Sequence, residues 1–68
     1  MTRKDYTALA YHLSLVEPAD NVPVAHAAWT ASCRAVADCL QDDNTRFDRT
    51  RFLEACKYLY WKGRTIPR

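Results

Sequence analysis

Apolar side chains recur along this chain at helical spacing, in three stretches divided by prolines and capping residues. Tyr6, Leu9, Ala10, Leu13 and Val16 follow the i, i+3, i+4, i+7 rule and share one face. This predicts a first helix over about 3–16. Thr2, with Asp5 three residues later, forms a capping-box-like start. Pro18 ends the helix, because the residue before a proline avoids the helical region. Ala8, Tyr11 and Leu15 point the other way. A helix apolar on two sides either packs between two layers or offers one side to a partner.

The second helix is predicted over about 23–41, with Pro23 tolerated in its first turn. Trp29, Cys33, Val36 and Leu40 make one apolar stripe, and Thr30, Arg34, Asp38 and Gln41 make the polar side. Ala27, Ala28, Ala31 and Ala35 form a third face of small side chains. That face either allows close approach of another helix or reflects only the helix preference of alanine.

The third helix is predicted over about 49–61, and its start is the strongest local signal in the chain. Asp48 is placed to accept free backbone N–H groups as N-cap. Phe47 and Phe52 stand at N′ and N4, the spacing of a hydrophobic staple. Phe52, Ala55, Cys56 and Leu59 read as the inner face, which leaves Tyr58 and Trp61 pointing outward. Gly63 is placed for a left-handed C-terminal cap, and an extended basic tail follows over 62–68. Nothing alternates with period two long enough to make a strand. The pattern therefore predicts an all-α fold, a small three-helix bundle in one helical domain over 1–68.

Sixty-eight residues, 49% hydrophobic and 26% charged, are globular in composition and allow one small core. The net charge of +2 hides an asymmetry. Residues 1–45 carry three basic against six acidic side chains, a net of −3, whereas residues 46–68 carry seven against two, a net of +5. A basic final third predicts one polarised face. Cys33, Cys39 and Cys56 are odd in number and loosely spaced, which favours free thiols over a disulfide framework. Arg3 and Lys4, residues 8–16, and Ala25-His26-Ala27 imitate a secretion signal, but Asp5 and His12 interrupt it, so a cytoplasmic protein is expected. No apolar run approaches the roughly 20 residues of a membrane span.

The opening Met1-Thr2-Arg3-Lys4-Asp5-Tyr6 and the segment Asp43-Asn44-Thr45-Arg46-Phe47-Asp48-Arg49-Thr50-Arg51-Phe52-Leu53-Glu54-Ala55-Cys56 resemble a group of small tailed-phage and prophage proteins. The shared ending of that group reads roughly D-N-x-R-F-D-R-x-x-F-x-x-A-C. The middle helix, with its Ala35-Val36-Ala37-Asp38 run, is similar in style. The resemblance implies a phage origin and a small helical fold. It implies no activity and carries over no functional residues. Many of those proteins stop soon after the cysteine, whereas this chain continues from Lys57 to Arg68.

Enzymatic chemistry finds little footing. A thiol nucleophile needs a nearby His base, and no nucleophile motif surrounds the cysteines. Zinc needs four converging ligands, and no C-x-x-C or H-x-x-x-H pair exists among Cys33, Cys39, Cys56, His12 and His26. Phosphate-cradling loops need glycines, and Gly63 stands alone. No cofactor is expected. The sequence instead predicts a non-enzymatic protein that binds a host or phage macromolecule, most readily a protein whose function it modulates. The residues expected to form that surface are Tyr58, Trp61, Lys62, Arg64 and Arg68, supported by Arg49 and Arg51, since Tyr, Trp and Arg are enriched at binding hot spots. Nucleic acid is the alternative, with Arg46 and the other basic side chains on phosphates and the aromatics stacked on bases. A homodimer could use that same surface, or the side of the first helix bearing Tyr11 and Leu15.

Overall fold

A computed structural model describes residues 3–19 and 21–66. It is all-helical, with no strand among the described residues. The elements are α1 (Arg3–Ser14), α2 (Pro23–Asp43), α3 (Arg49–Ala55) and α4 (Tyr58–Trp61). The three-helix expectation thus changes at its end, where the third helix divides into two. Short α3 is the centre of the packing: it lies against α1 and against α2, and α4 folds onto α1 and α3. The backbone fills 34 × 26 × 15 Å. A thickness of 15 Å leaves room for two helix layers at the usual axial spacing of about 8–10 Å. No helix among the described residues is long and apolar enough to cross a membrane.

Small residues let these layers approach. Ala10, Cys33, Ala37, Ala55 and Cys56 are all buried, and Leu40, Phe47, Phe52 and Trp61 supply the larger apolar area. The start of α3 forms as its sequence predicts. Asp48 Oδ1 accepts the backbone N–H of Arg51 at 3.0 Å, and the rings of Phe47 and Phe52 meet at 5.3 Å between centroids. Asp48→Ala is expected to cost about 1 kcal/mol, the usual worth of a side-chain N-cap, read as a lowered urea midpoint at unchanged slope. The Thr2 cap and the Asp20 region lie outside the described residues.

The break between α3 and α4 has a local cause and a long-range one. Cys56 is still helical, but Lys57 is extended at φ −84° and ψ 133°. The N–H of Tyr58, which a continuous helix would bond to Glu54, instead donates to Glu17 Oε1 at 3.0 Å. Glu17 also lies 3.7 Å from His26 Nε2, so one carboxylate joins the ends of α1, α2 and α4. The extended residue rotates everything after it. Leu59, expected inside, is 76% exposed, and Trp61, expected outside, is 8% exposed. Trp61 Nε1 donates to the Ala55 carbonyl at 2.6 Å.

This rotation also settles the two-sided character of α1. Tyr11 meets the ring of Trp61 edge-on at 5.6 Å, while Tyr6 meets Phe47 edge-on at 4.9 Å. α1 is therefore covered on both sides, and the expected homodimer face reduces to Leu15, which is exposed. Val16 lies past the end of α1 and is exposed as well. Trp29 is half-buried and donates to the Leu13 carbonyl at 3.0 Å, fastening α2 to the last turn of α1. Ala27, Ala28, Ala31 and Ala35 are exposed on α2 and join no helix within the fold. The alanine that is fully buried is Ala37.

Candidate functional site, an arginine-rimmed cleft

An open cleft of about 740 Å³ is bounded by four segments. α1 contributes Arg3, Tyr6, Thr7 and Ala10; the connection before α3 contributes Asn44, Arg46, Phe47 and Asp48. α3 contributes Arg51, Phe52 and Ala55, and the end of the described chain contributes Tyr60, Trp61, Gly63, Arg64 and Thr65.

Each arginine is placed by its own segment. Arg3 opens α1. Arg46 sits in an Asx turn, where its N–H donates to Asn44 Oδ1 at 3.1 Å and the N–H of Phe47 donates to the Asn44 carbonyl at 3.0 Å. Arg51 lies in the first turn of α3, behind the Asp48 cap. Arg64 follows the turn at Gly63, whose φ of +81° suits the residue without a Cβ. The Arg64 N–H closes that turn onto the Trp61 carbonyl at 3.0 Å. The Arg64 guanidinium stands 4.4 Å from the centroid of the Tyr60 ring.

The electrostatics of the rim are one-sided. Asp48 is the one acidic side chain lining the cleft among the described residues, and its carboxylate is engaged by the α3 backbone. Among the described residues none of Arg3, Arg46, Arg51 and Arg64 makes an ion pair. Arg49, by contrast, is half-buried and paired with Asp38 on α2. The cleft floor is apolar, since Ala10, Phe47, Phe52, Ala55 and Trp61 are all buried. The Tyr6 hydroxyl oxygen is buried without a hydrogen-bond partner among the described residues.

The residues predicted from sequence therefore divide. Arg51 and Arg64 come together at the cleft, and Trp61 supports its floor from the core. Tyr58 is exposed but does not line the cleft, and neither does Lys62. Arg49 is held by Asp38, and Arg68 lies outside the described residues. Arg3 and Tyr6 were not expected there. Arg3 counts toward the acidic part of the sequence, and only the packing of α1 on α3 brings it to the same cleft as Arg51.

A second, smaller hollow of about 280 Å³ lies over the α2–α3 seam and includes His26, Trp29, Cys33, Leu53 and Cys56. Cys33 and Cys56 are both buried there. Burial pushes both thiols up, Cys56 to about 12, where proximity to Cys33 adds to the effect. Both remain protonated at neutral pH. The unfolded chain loses these protons near the ordinary value of 9.0 while the folded chain holds them. The contribution of Cys56 to stability is therefore fully present below about pH 9 and is lost as pH rises toward 12, with Cys33 acting in the same direction. Urea unfolding at neutral and alkaline pH checks this, with Cys56→Ala expected to flatten the decline. Among the described residues no three His, Cys, Asp or Glu side chains gather at metal-binding distance.

No family model, no curated protein and no solved structure matches the chain.

Proposed function

We propose that this chain is a non-enzymatic binding protein that captures a partner protein in the arginine-rimmed cleft. The observation that carries the reading is the set of four arginines around an apolar floor, none of them paired with a carboxylate among the described residues. Guanidinium groups gathered around one opening repel one another, and a ligand of opposite charge relieves that repulsion on binding. Arginine is the side chain best suited to the task, since its planar fork meets carboxylates in a bidentate manner.

Two further points support binding over catalysis. The thiols with a histidine nearby are buried and protonated at neutral pH, whereas the thiolate is the nucleophile. The cleft itself contains no histidine, cysteine or lysine. The nucleic-acid reading keeps its basic side chains but loses most of its stacking surface. Trp61 is buried, Tyr60 has Arg64 over its face, and Tyr58 stands apart from the cleft.

The resemblance to small phage and prophage proteins supports a partner in a bacterial host, a host or phage protein whose function is modulated in the cytoplasm. A tagged pull-down from bacterial lysate, divided into nuclease-treated and untreated halves, tests the reading. A discrete protein retained after nuclease treatment is the expected result. Recovery of nucleic acid, with protein partners lost on digestion, transfers the site to a nucleic-acid-binding module.

A further inference from the structure

We infer that the segment held in the cleft is an extended acidic peptide, its carboxylates on the rim arginines and one apolar side chain on the floor. The inference rests on the protein-binding reading above and names the chemistry of the partner.

The first argument is the distribution of charge. Arg3, Arg46, Arg51 and Arg64 come from four separate segments around the opening. A lone anion is gripped by donors that converge on one point, commonly backbone N–H groups of a glycine-rich turn. This rim has a single glycine, Gly63, and its donors are long side chains on different elements. Such an arrangement suits several anions spaced along a chain, each meeting one guanidinium.

The second argument is the shape. A helix or ridge that reads a duplex must be convex to enter a groove, whereas this surface is concave. A single nucleic-acid strand needs open ring faces for its bases. The rings that border the cleft offer little of that: Phe47, Phe52 and Trp61 are buried, and Tyr6 meets Phe47 edge-on. The cleft wall they line is apolar and takes an aliphatic side chain instead. The volume, about 740 Å³, lies within the range of about 300–1,000 Å³ typical of clefts that enclose a compact ligand.

Fluorescence anisotropy with short labelled peptides tests this. One peptide carries Asp and Glu around a central Leu; a second replaces each acid by its amide; a single-stranded oligonucleotide of equal charge is the third probe. The acidic peptide is expected to bind, with affinity falling as salt rises. The amide peptide is expected to bind at least about tenfold more weakly. The double variant R51Q/R64Q is expected to weaken the acidic peptide by at least about tenfold, while Y58S/K62Q leaves it unchanged. Circular dichroism of each variant shows that the fold is kept. Equal binding of acidic and amide peptides, tighter binding of the oligonucleotide, unaltered binding by R51Q/R64Q, or no binding of the acidic peptide overturns the inference. A protein captured at the cleft from nuclease-treated lysate, together with equal affinity for both peptides, removes the acidic-peptide inference and leaves the protein-binding reading standing. Failure to capture any protein removes the reading itself.

Discussion

Trp61→Ala is expected to destabilise the protein by about 3–5 kcal/mol, the usual cost of truncating a buried aromatic to alanine. Three losses combine. The ring leaves a cavity beside Tyr11 and Tyr60, which it meets at 5.6 and 4.9 Å between centroids. The Ala55 carbonyl loses the indole N–H that donates to it at 2.6 Å. α4, only four residues long, loses its single buried side chain and with it much of its hold on α1. A domain of this size has a total stability of order 5 kcal/mol, so the variant is expected to be largely unfolded at ambient temperature. Leu59→Ala is the control, because Leu59 is 76% exposed and its truncation is expected to change stability by less than about 0.5 kcal/mol. A single continuous helix over about 49–61 predicts the reverse order. Urea unfolding of the two variants therefore reads the position of the helix break directly.

The second large effect is expected at the cleft and leaves the fold intact. Arg51→Gln with Arg64→Gln removes two of the four rim charges and keeps much of each side chain. Both residues are exposed, and neither makes an ion pair among the described residues. The structural cost is confined to the Arg64–Tyr60 cation–π contact, about 0.5–1 kcal/mol at such a site. A hydrogen bond to a charged group contributes about 1.5–3 kcal/mol. Loss of two such bonds is expected to weaken partner binding by about 100-fold or more. Arg49→Gln is the contrasting substitution. It breaks the pair with Asp38, which joins α3 to α2, and is expected to lower stability slightly while leaving partner affinity unchanged.

The start of α3 was legible in the sequence because its parts are neighbours. Asp48, Arg51, Phe47 and Phe52 lie within six positions, and cap and staple form there without help from elsewhere. The class of the fold was legible for a similar reason, since helical spacing is a local property. The end of α3 was not. Tyr58, Leu59, Tyr60 and Trp61 are apolar or aromatic on every side, so periodicity alone does not choose which of them turns inward. The choice is made by the extended Lys57 and by Glu17, a carboxylate 41 positions away that receives the Tyr58 N–H. Alanines posed the same difficulty on α2: Ala37 is buried while Ala27, Ala28, Ala31 and Ala35 are exposed, and side-chain size does not distinguish them.

The candidate site was legible by half. Arg51 and Arg64 were expected as binding residues because they lie in the basic final third. Arg3 was hidden within residues 1–45, which are acidic in net charge, and Tyr6 by its place on the apolar face of α1. Arg49 looked equivalent to Arg51, yet two positions along a helix turn a side chain by more than half a circle. That rotation sends Arg49 to Asp38 and Arg51 to the cleft.

The decisive comparison is capture from nuclease-treated bacterial lysate by the wild-type protein and by R51Q/R64Q side by side, with matched melting curves for the two. A discrete protein bound by the wild type and lost by the variant, at nearly equal stability, is the predicted result. The same protein retained equally by both would place the binding surface elsewhere on the molecule and contradict the assignment of the cleft.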